Sequence, residues 1–178
     1  DLVRKRELES GAVSAGRLQS LLSLTKSGWL RPIEDDDLFE FYVLCLCLDV
    51  LEIETGLGPP TELGLLSRNR SYIAKFEKKS LTVTVHFDQS PASVFGVNTR
   101  YGEAISLWEG ITGAQRRPDI MLKFSNGKSE HYVIVEVKRT EDESYRRDSL
   151  YKLFGYLYDF DDLWDKTCVL PKAALVFP

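Results

Sequence analysis

Asn126-Gly127 separates two apolar segments, Asp119–Phe124 and Ser129–Val137. Asn-Gly between such runs is the strongest short-range signal for an antiparallel hairpin, because both residues accept the left-handed backbone of a tight turn. A two-residue turn pairs Ser125 with Lys128, which sets Asp119 across from Ile134 and Arg117 across from Glu136. Side chains alternate between faces along a strand, and residues paired across a ladder share a face. Asp119, Ile134, Glu136 and Lys138 therefore share one face, with Asp119 and Glu136 diagonal neighbours within roughly 8 Å at Cα. The other face carries Ile120, Leu122, Phe124, Val133, Val135 and Val137, and is core.

The remaining chain predicts helices around this hairpin. Residues 1–34 read as an N-terminal helical segment, followed by a domain over 35–178. The acidic run Glu34–Asp37 complements the start of a helix over Leu38–Glu54. That helix is apolar almost all round and is expected to be buried in the middle of the domain. Tyr72–Phe76 and Leu81–Phe87 suggest a second hairpin, and the latter alternates apolar residues with Thr82, Thr84 and His86. Residues 88–117 lack periodicity and read as a loop with one short element. A helix over Ser144–Phe160 and a strand over Ala173–Phe177 close an α/β domain, a central mixed sheet flanked by helices.

Composition narrows the function classes. The 178 residues carry 23 basic and 27 acidic side chains, a net charge of −4, so any surface for a polyanion must be local. Leu38–Ile53 is too short to span a bilayer and contains Glu40, Asp49 and Glu52, so no membrane association is expected. Cys45, Cys47 and Cys168 lack the spacing of a zinc site or a disulfide framework, which points to a reducing, cytoplasmic compartment. The only methionine, Met121, is internal, so the chain is expected to belong to a longer protein or to work with a targeting subunit; a homodimer is also compatible.

Two acids and a lysine on an otherwise apolar hairpin suit a hard divalent cation, which takes one or two carboxylates and keeps several waters. Such an ion activates water and stabilises charge on a phosphoryl oxygen, and a neighbouring lysine acts as a point charge. A surface salt bridge is the bland alternative, and Tyr132 and Ile134 on the same face weaken it. Glycoside hydrolysis also uses paired carboxylates but leaves Lys138 without a role.

Pro118-Asp119, sixteen residues, then Glu136-Val137-Lys138 resembles the motif of the PD-(D/E)xK nuclease superfamily, on the hairpin where that superfamily carries it. The resemblance implies a restriction-endonuclease-like fold. It makes Asp119 and Glu136 ligands of Mg²⁺, with Mn²⁺ as substitute, the Val137 carbonyl a further ligand, and Lys138 the catalytic lysine. Glu40 looks like the acid that many members aim at the metal from the helix before the sheet. Lys152 and Tyr156 resemble the extra helical motif of exonuclease-like branches, which touches nucleic acid. Arg117, Arg139 and Arg147 flank the site and are candidate phosphate contacts. Arg-Pro-Asp-Ile, Val-Ile-Val-Glu-Val-Lys-Arg and the closing strand look most like nuclease domains of McrBC-type modification-dependent restriction systems. The expected activity is phosphodiester hydrolysis in DNA, with RNA as the alternative, in restriction, defence or DNA processing. The alternative is an inactive nuclease-fold module that binds nucleic acid or a protein.

Other candidates read as structural. His131 points to the core face, His86 has no assigned role, Glu103 lies on loop surface and Cys45-x-Cys47 is packing. Leu150, Leu153, Leu157 and Phe160 form the expected apolar stripe of the last helix.

Overall fold

The computed structural model describes residues 34–63, 71–111, 113, 116–167 and 169–178. The helix expected over 1–34, apart from Glu34, lies outside the described residues, as do Arg68, Arg70 and Cys168. The described chain is an α/β fold with a six-stranded mixed sheet and four α-helices. In chain order these are α1 Asp35–Asp49, β1 Glu62–Leu63, β2 Ala74–Lys78, β3 Leu81–Phe87, α2 Pro91–Phe95 and α3 Arg100–Ser106. β4 Ile120–Ser125, β5 Glu130–Val137, α4 Glu143–Asp159 and β6 Ala173–Val176 follow. The strands lie in sequence order, antiparallel except for the parallel pair β5–β6, and α4 is the crossover that such a pair requires.

α1 begins with Asp35, Asp36 and Asp37, whose charges favour the positive helix N-terminus. A π-helical turn, Val50–Glu54, extends it until Gly56 adopts φ +64°. It is not buried all round, because Leu38, Val50 and Ile53 are exposed while Val43, Leu44 and Leu51 enter the core. α1 lies on one face of the sheet, against Phe76, Val85, Val135 and Val137. α4 covers the other face, where Leu153, Tyr156 and Phe160 meet Tyr132 and Ile134. Tyr132 and Ile134 thus have their explanation: the polar face is a second core away from its acidic end.

The β4–β5 hairpin forms with a longer connection than the two-residue turn predicted. Ser125 pairs with Glu130, not Lys128, and Asn126 N–H donates to the Ser129 carbonyl at 3.2 Å. Asn126 Oδ1 accepts from the N–H groups of Lys128 (2.9 Å) and Ser129 (2.8 Å), replacing the backbone bonds of the shorter turn. Gly127, at φ +80°, supplies the left-handed residue. A shift of two residues leaves every side chain on its predicted face. Since Ile120 pairs with Val135, the next step brings Asp119 opposite Glu136 rather than diagonal to it. Arg117 accordingly moves away from Glu136 and pairs with Asp88 at 3.3 Å.

Residues 88–117 hold two short helices where one element was expected. Ser90-Pro91 opens α2 and Thr99 Oγ1 caps α3 by accepting from Gly102 N–H at 3.0 Å. Asp142 caps α4 by accepting from the Ser144 and Tyr145 amides at 2.7 and 3.2 Å. On α4 the packing face differs from the expected stripe. Leu150 is 45% exposed, whereas Ser149 and Tyr156 are buried with Leu153 and Phe160.

Candidate functional site

Asp119 stands immediately before β4, Glu136 near the end of β5, and Lys138 just after it. Asp119 Oδ2 accepts from Val137 N–H at 2.6 Å, which fixes its carboxylate across the mouth of the hairpin. Its carbonyl accepts from Asp88 N–H at 2.9 Å, so the turn after β3 holds it from the other side. Glu136 is 0% exposed. Lys138 Nζ donates to Val137 O at 2.6 Å and lies 2.8 Å from Glu136 Oε1 and 3.2 Å from Asp119 Oδ2. Three of the four predicted ligand groups therefore aim oxygens at one point, and an ammonium fills it. Lys152 of α4 donates to the same Glu136 Oε1 at 2.5 Å.

Glu40, on α1 at the opposite face of the sheet, is close enough to feel the charges of this group. Burial, then the Asp119 charge, push its carboxyl up to about 7, against the attraction of Lys138. Burial and then the Glu136 charge also raise Asp119, against its bonds to Val137 N–H and Lys138. For Lys138 and Lys152, burial is the largest single influence and works to lower the ammonium, but the bond to Glu136 and the charges of the surrounding carboxylates together outweigh it and both are raised. The site is thus a desolvated set of carboxyls held by two cations.

Among the described residues no three His, Cys, Asp or Glu side chains form a ready metal cluster. The donors that do converge are two carboxylates and a main-chain carbonyl, which is the mixed oxygen set of Mg²⁺ rather than of a side-chain cage. Glu136 Oε2 is buried without a hydrogen-bond partner. An orphaned carboxylate oxygen costs free energy that a hard cation would recover, so the residues present fit Mg²⁺.

The predicted nucleic-acid contacts divide. Lys152 turns inward to Glu136, with its side chain still 44% exposed. Tyr156 is 2% exposed and does not present its ring to solvent, because it shares the packing side of α4 with Leu153 and Phe160. Its hydroxyl donates to Arg117 O at 3.0 Å, tying α4 to the segment that enters β4. Arg139 pairs with Asp35 at 3.1 Å and joins β5 to the start of α1. Arg147 is exposed on α4, with no ion pair among the described residues.

Sequence reasoning missed three supports. Asp88, at φ +47°, holds both Asp119 and Arg117. Asp159 is buried and accepts from Tyr101 N–H at 2.6 Å, which fastens α3 to α4. Arg116 lies over the Tyr101 ring at 4.5 Å and fills the space that a side chain at Gly155 would take. The absence of periodicity over 88–117 hid all of these contacts; the one cue was the acidic residue in Phe87-Asp88 at the end of a strand. His86, unassigned before, is buried between Thr84 Oγ1 (3.0 Å) and the Ser71 carbonyl (2.5 Å). His131 stays half exposed at the hairpin end, with Nε2 2.8 Å from Pro171 O.

Comparison with family models, curated proteins and solved structures finds no match to this chain. No helix among the described residues is long and apolar enough to cross a membrane.

Proposed function

We propose that this chain is a metal-dependent nuclease of the PD-(D/E)xK type, with a restriction-endonuclease-like sheet, whose substrate is the phosphodiester backbone of DNA. The observation that carries this reading is the meeting of Asp119 Oδ2, Glu136 Oε1 and Val137 O around the Lys138 ammonium, within 3.2 Å. Asp119, Glu136 and the Val137 carbonyl would hold Mg²⁺ or Mn²⁺, with Glu40 completing the set. When bound, the ion supplies an activated water and neutralises charge on the phosphoryl oxygen. Lys138, on a flexible stem, leaves the ligand oxygens and serves the water or the phosphate as a point charge. Lys152 keeps Glu136 oriented from α4. The acidic domain as a whole then belongs to a defence, restriction or DNA-processing system in which targeting comes from elsewhere.

A second reading, an inactive module on the same fold, has one observation in its favour. Lys138 and Lys152 both reach Glu136 Oε1, so the buried carboxylate is already countered without an ion. Titration calorimetry with Mg²⁺ and Mn²⁺, alongside incubation with plasmid, linear and single-stranded DNA, separates the two. The nuclease reading expects metal binding and cleavage, both lost in Asp119→Ala. Cleavage that survives both Asp119→Ala and Lys138→Ala sinks it, and nucleic-acid binding without metal uptake favours the module.

A further inference from the structure

α4 turns an unusual surface outward. Tyr151, Phe154 and Tyr158 are 68%, 60% and 70% exposed, although aromatic rings of this size contribute most when buried. They fall on one stripe, because residues three and four apart on a helix are neighbours. Arg147 opens the stripe one turn earlier, and the Arg100 guanidinium lies 5.3 Å over the Tyr158 ring at its far end. Lys152, the residue after Tyr151, reaches Glu136 in the candidate site. The stripe therefore runs along the flank of the helix that also supplies a site residue.

We propose that Tyr151, Phe154 and Tyr158 are a stacking platform for the unpaired bases of a single-stranded nucleic acid led toward the Glu136–Lys138 site. The proposal deepens the nuclease reading and rests on it for what happens at the end of the strand. Three features select this occupant. Every base has a π-face that stacks on an aromatic ring whatever the sequence, and the exposed Arg147 beside the rings can meet the phosphates, whereas Arg100 is held by Asp161 at 3.1 Å. At a rise of about 1.5 Å per residue the rings are spaced roughly 4.5–6 Å along the helix. That exceeds the ~3.4 Å spacing of a duplex strand, so the stripe suits bases already pulled apart. Two of the three rings are tyrosines, whose hydroxyls keep an exposed stripe compatible with water.

The test is fluorescence anisotropy of labelled oligothymidine and of a duplex of equal length, using full-length Asp119→Asn protein so that cleavage does not interfere. Tighter binding of the single strand is expected. Tyr151→Ala combined with Tyr158→Ala should weaken it by at least about tenfold, leave duplex binding unchanged, and quench less of a 2-aminopurine probe. Tyr151→Phe with Tyr158→Phe should bind like the parent, since the rings remain. Equal affinity for duplex and single strand overturns the platform, as does an unchanged affinity in the alanine pair. A loss of self-association or of thermal stability, with nucleic-acid affinity intact, also overturns it and assigns the stripe to a protein contact. The nuclease reading fails separately: wild-type protein that stacks oligothymidine on these rings but cleaves nothing with Mg²⁺ or Mn²⁺ keeps the platform and loses the chemistry.

Discussion

Lys152 of α4 and Lys138 after β5 share a single carboxylate oxygen, Glu136 Oε1, at 2.5 and 2.8 Å. The helix after the hairpin is thus joined to the proposed catalytic strand through a fully buried acid. Removing one of the two cations leaves Glu136 with a single counter-charge in a desolvated setting. Lys152→Met should lower stability by about 1–2 kcal/mol in chelator, measured by urea unfolding. Mg²⁺ should restore part of the loss if the ion binds where proposed, and no restoration would speak against that position.

Asp119→Asn keeps the shape of the side chain but removes its charge. Cleavage should fall by about 100-fold or more, while the fold persists because the amide oxygen still accepts from Val137 N–H. Circular dichroism and a plasmid-nicking assay together check this. Nicking at the wild-type rate would end Asp119's role.

Glu40 gives a pH-dependent prediction. Its folded carboxyl is raised from 4.5 to about 7, so the fold binds this proton more tightly than the unfolded chain does. Stability in chelator then falls as pH rises through that window, because charging Glu40 is disfavoured in the fold. Glu40→Gln should be more stable than wild type above about pH 7, with the gain gone below pH 4.5. Melting temperatures at the two ends of the window test the sign.

His86 titrates in the opposite sense. Burial, then the Lys123 charge, depress it below its usual 6.5, against the bond to the Ser71 carbonyl. The unfolded chain takes up the proton first, so the stability from neutral His86 is complete above pH 6.5 and is lost as pH falls toward the depressed value. Between pH 7 and 5, wild type should lose more stability than His86→Gln. Identical slopes in the two proteins would place the acid sensitivity elsewhere.

The hairpin connection gives a structural prediction. Gly127 holds φ +80°, where a Cβ is strained, so Gly127→Ala should destabilise the protein by about 1 kcal/mol. Asn126→Ala removes the acceptor for three donors and should cost about as much. Chemical denaturation of both variants checks this.

What was legible in the sequence was parity. Alternation along β4 and β5 put Asp119, Glu136 and Lys138 on one face, and a register error of two residues left that conclusion standing. Quantities that depend on register itself went wrong: Arg117 faces Asp88, not Glu136. For α4, helical periodicity found Leu153 and Phe160 but chose Leu150 over Ser149 and Tyr156. Hydrophobicity alone ranks a leucine above a serine, although Ser149 fits the helix–sheet contact and satisfies its hydroxyl on Tyr145 O at 2.7 Å. The sheet order and the contacts of Asp88 and Asp159 depend on chain reversals over 88–117, where no short-range pattern exists to read.

β5 alternates between two cores, giving Val135 and Val137 to the α1 side and Ile134 and Glu136 to the α4 side. Its length is consequently fixed in steps of two. Deleting one residue inside β5 would exchange the two sets downstream, bringing a valine opposite Asp119 and driving the glutamate into the α1 packing. A chain descended from this one can therefore lengthen or shorten its hairpin loop freely, while an odd insertion within the strand itself erases the site and both cores in one event.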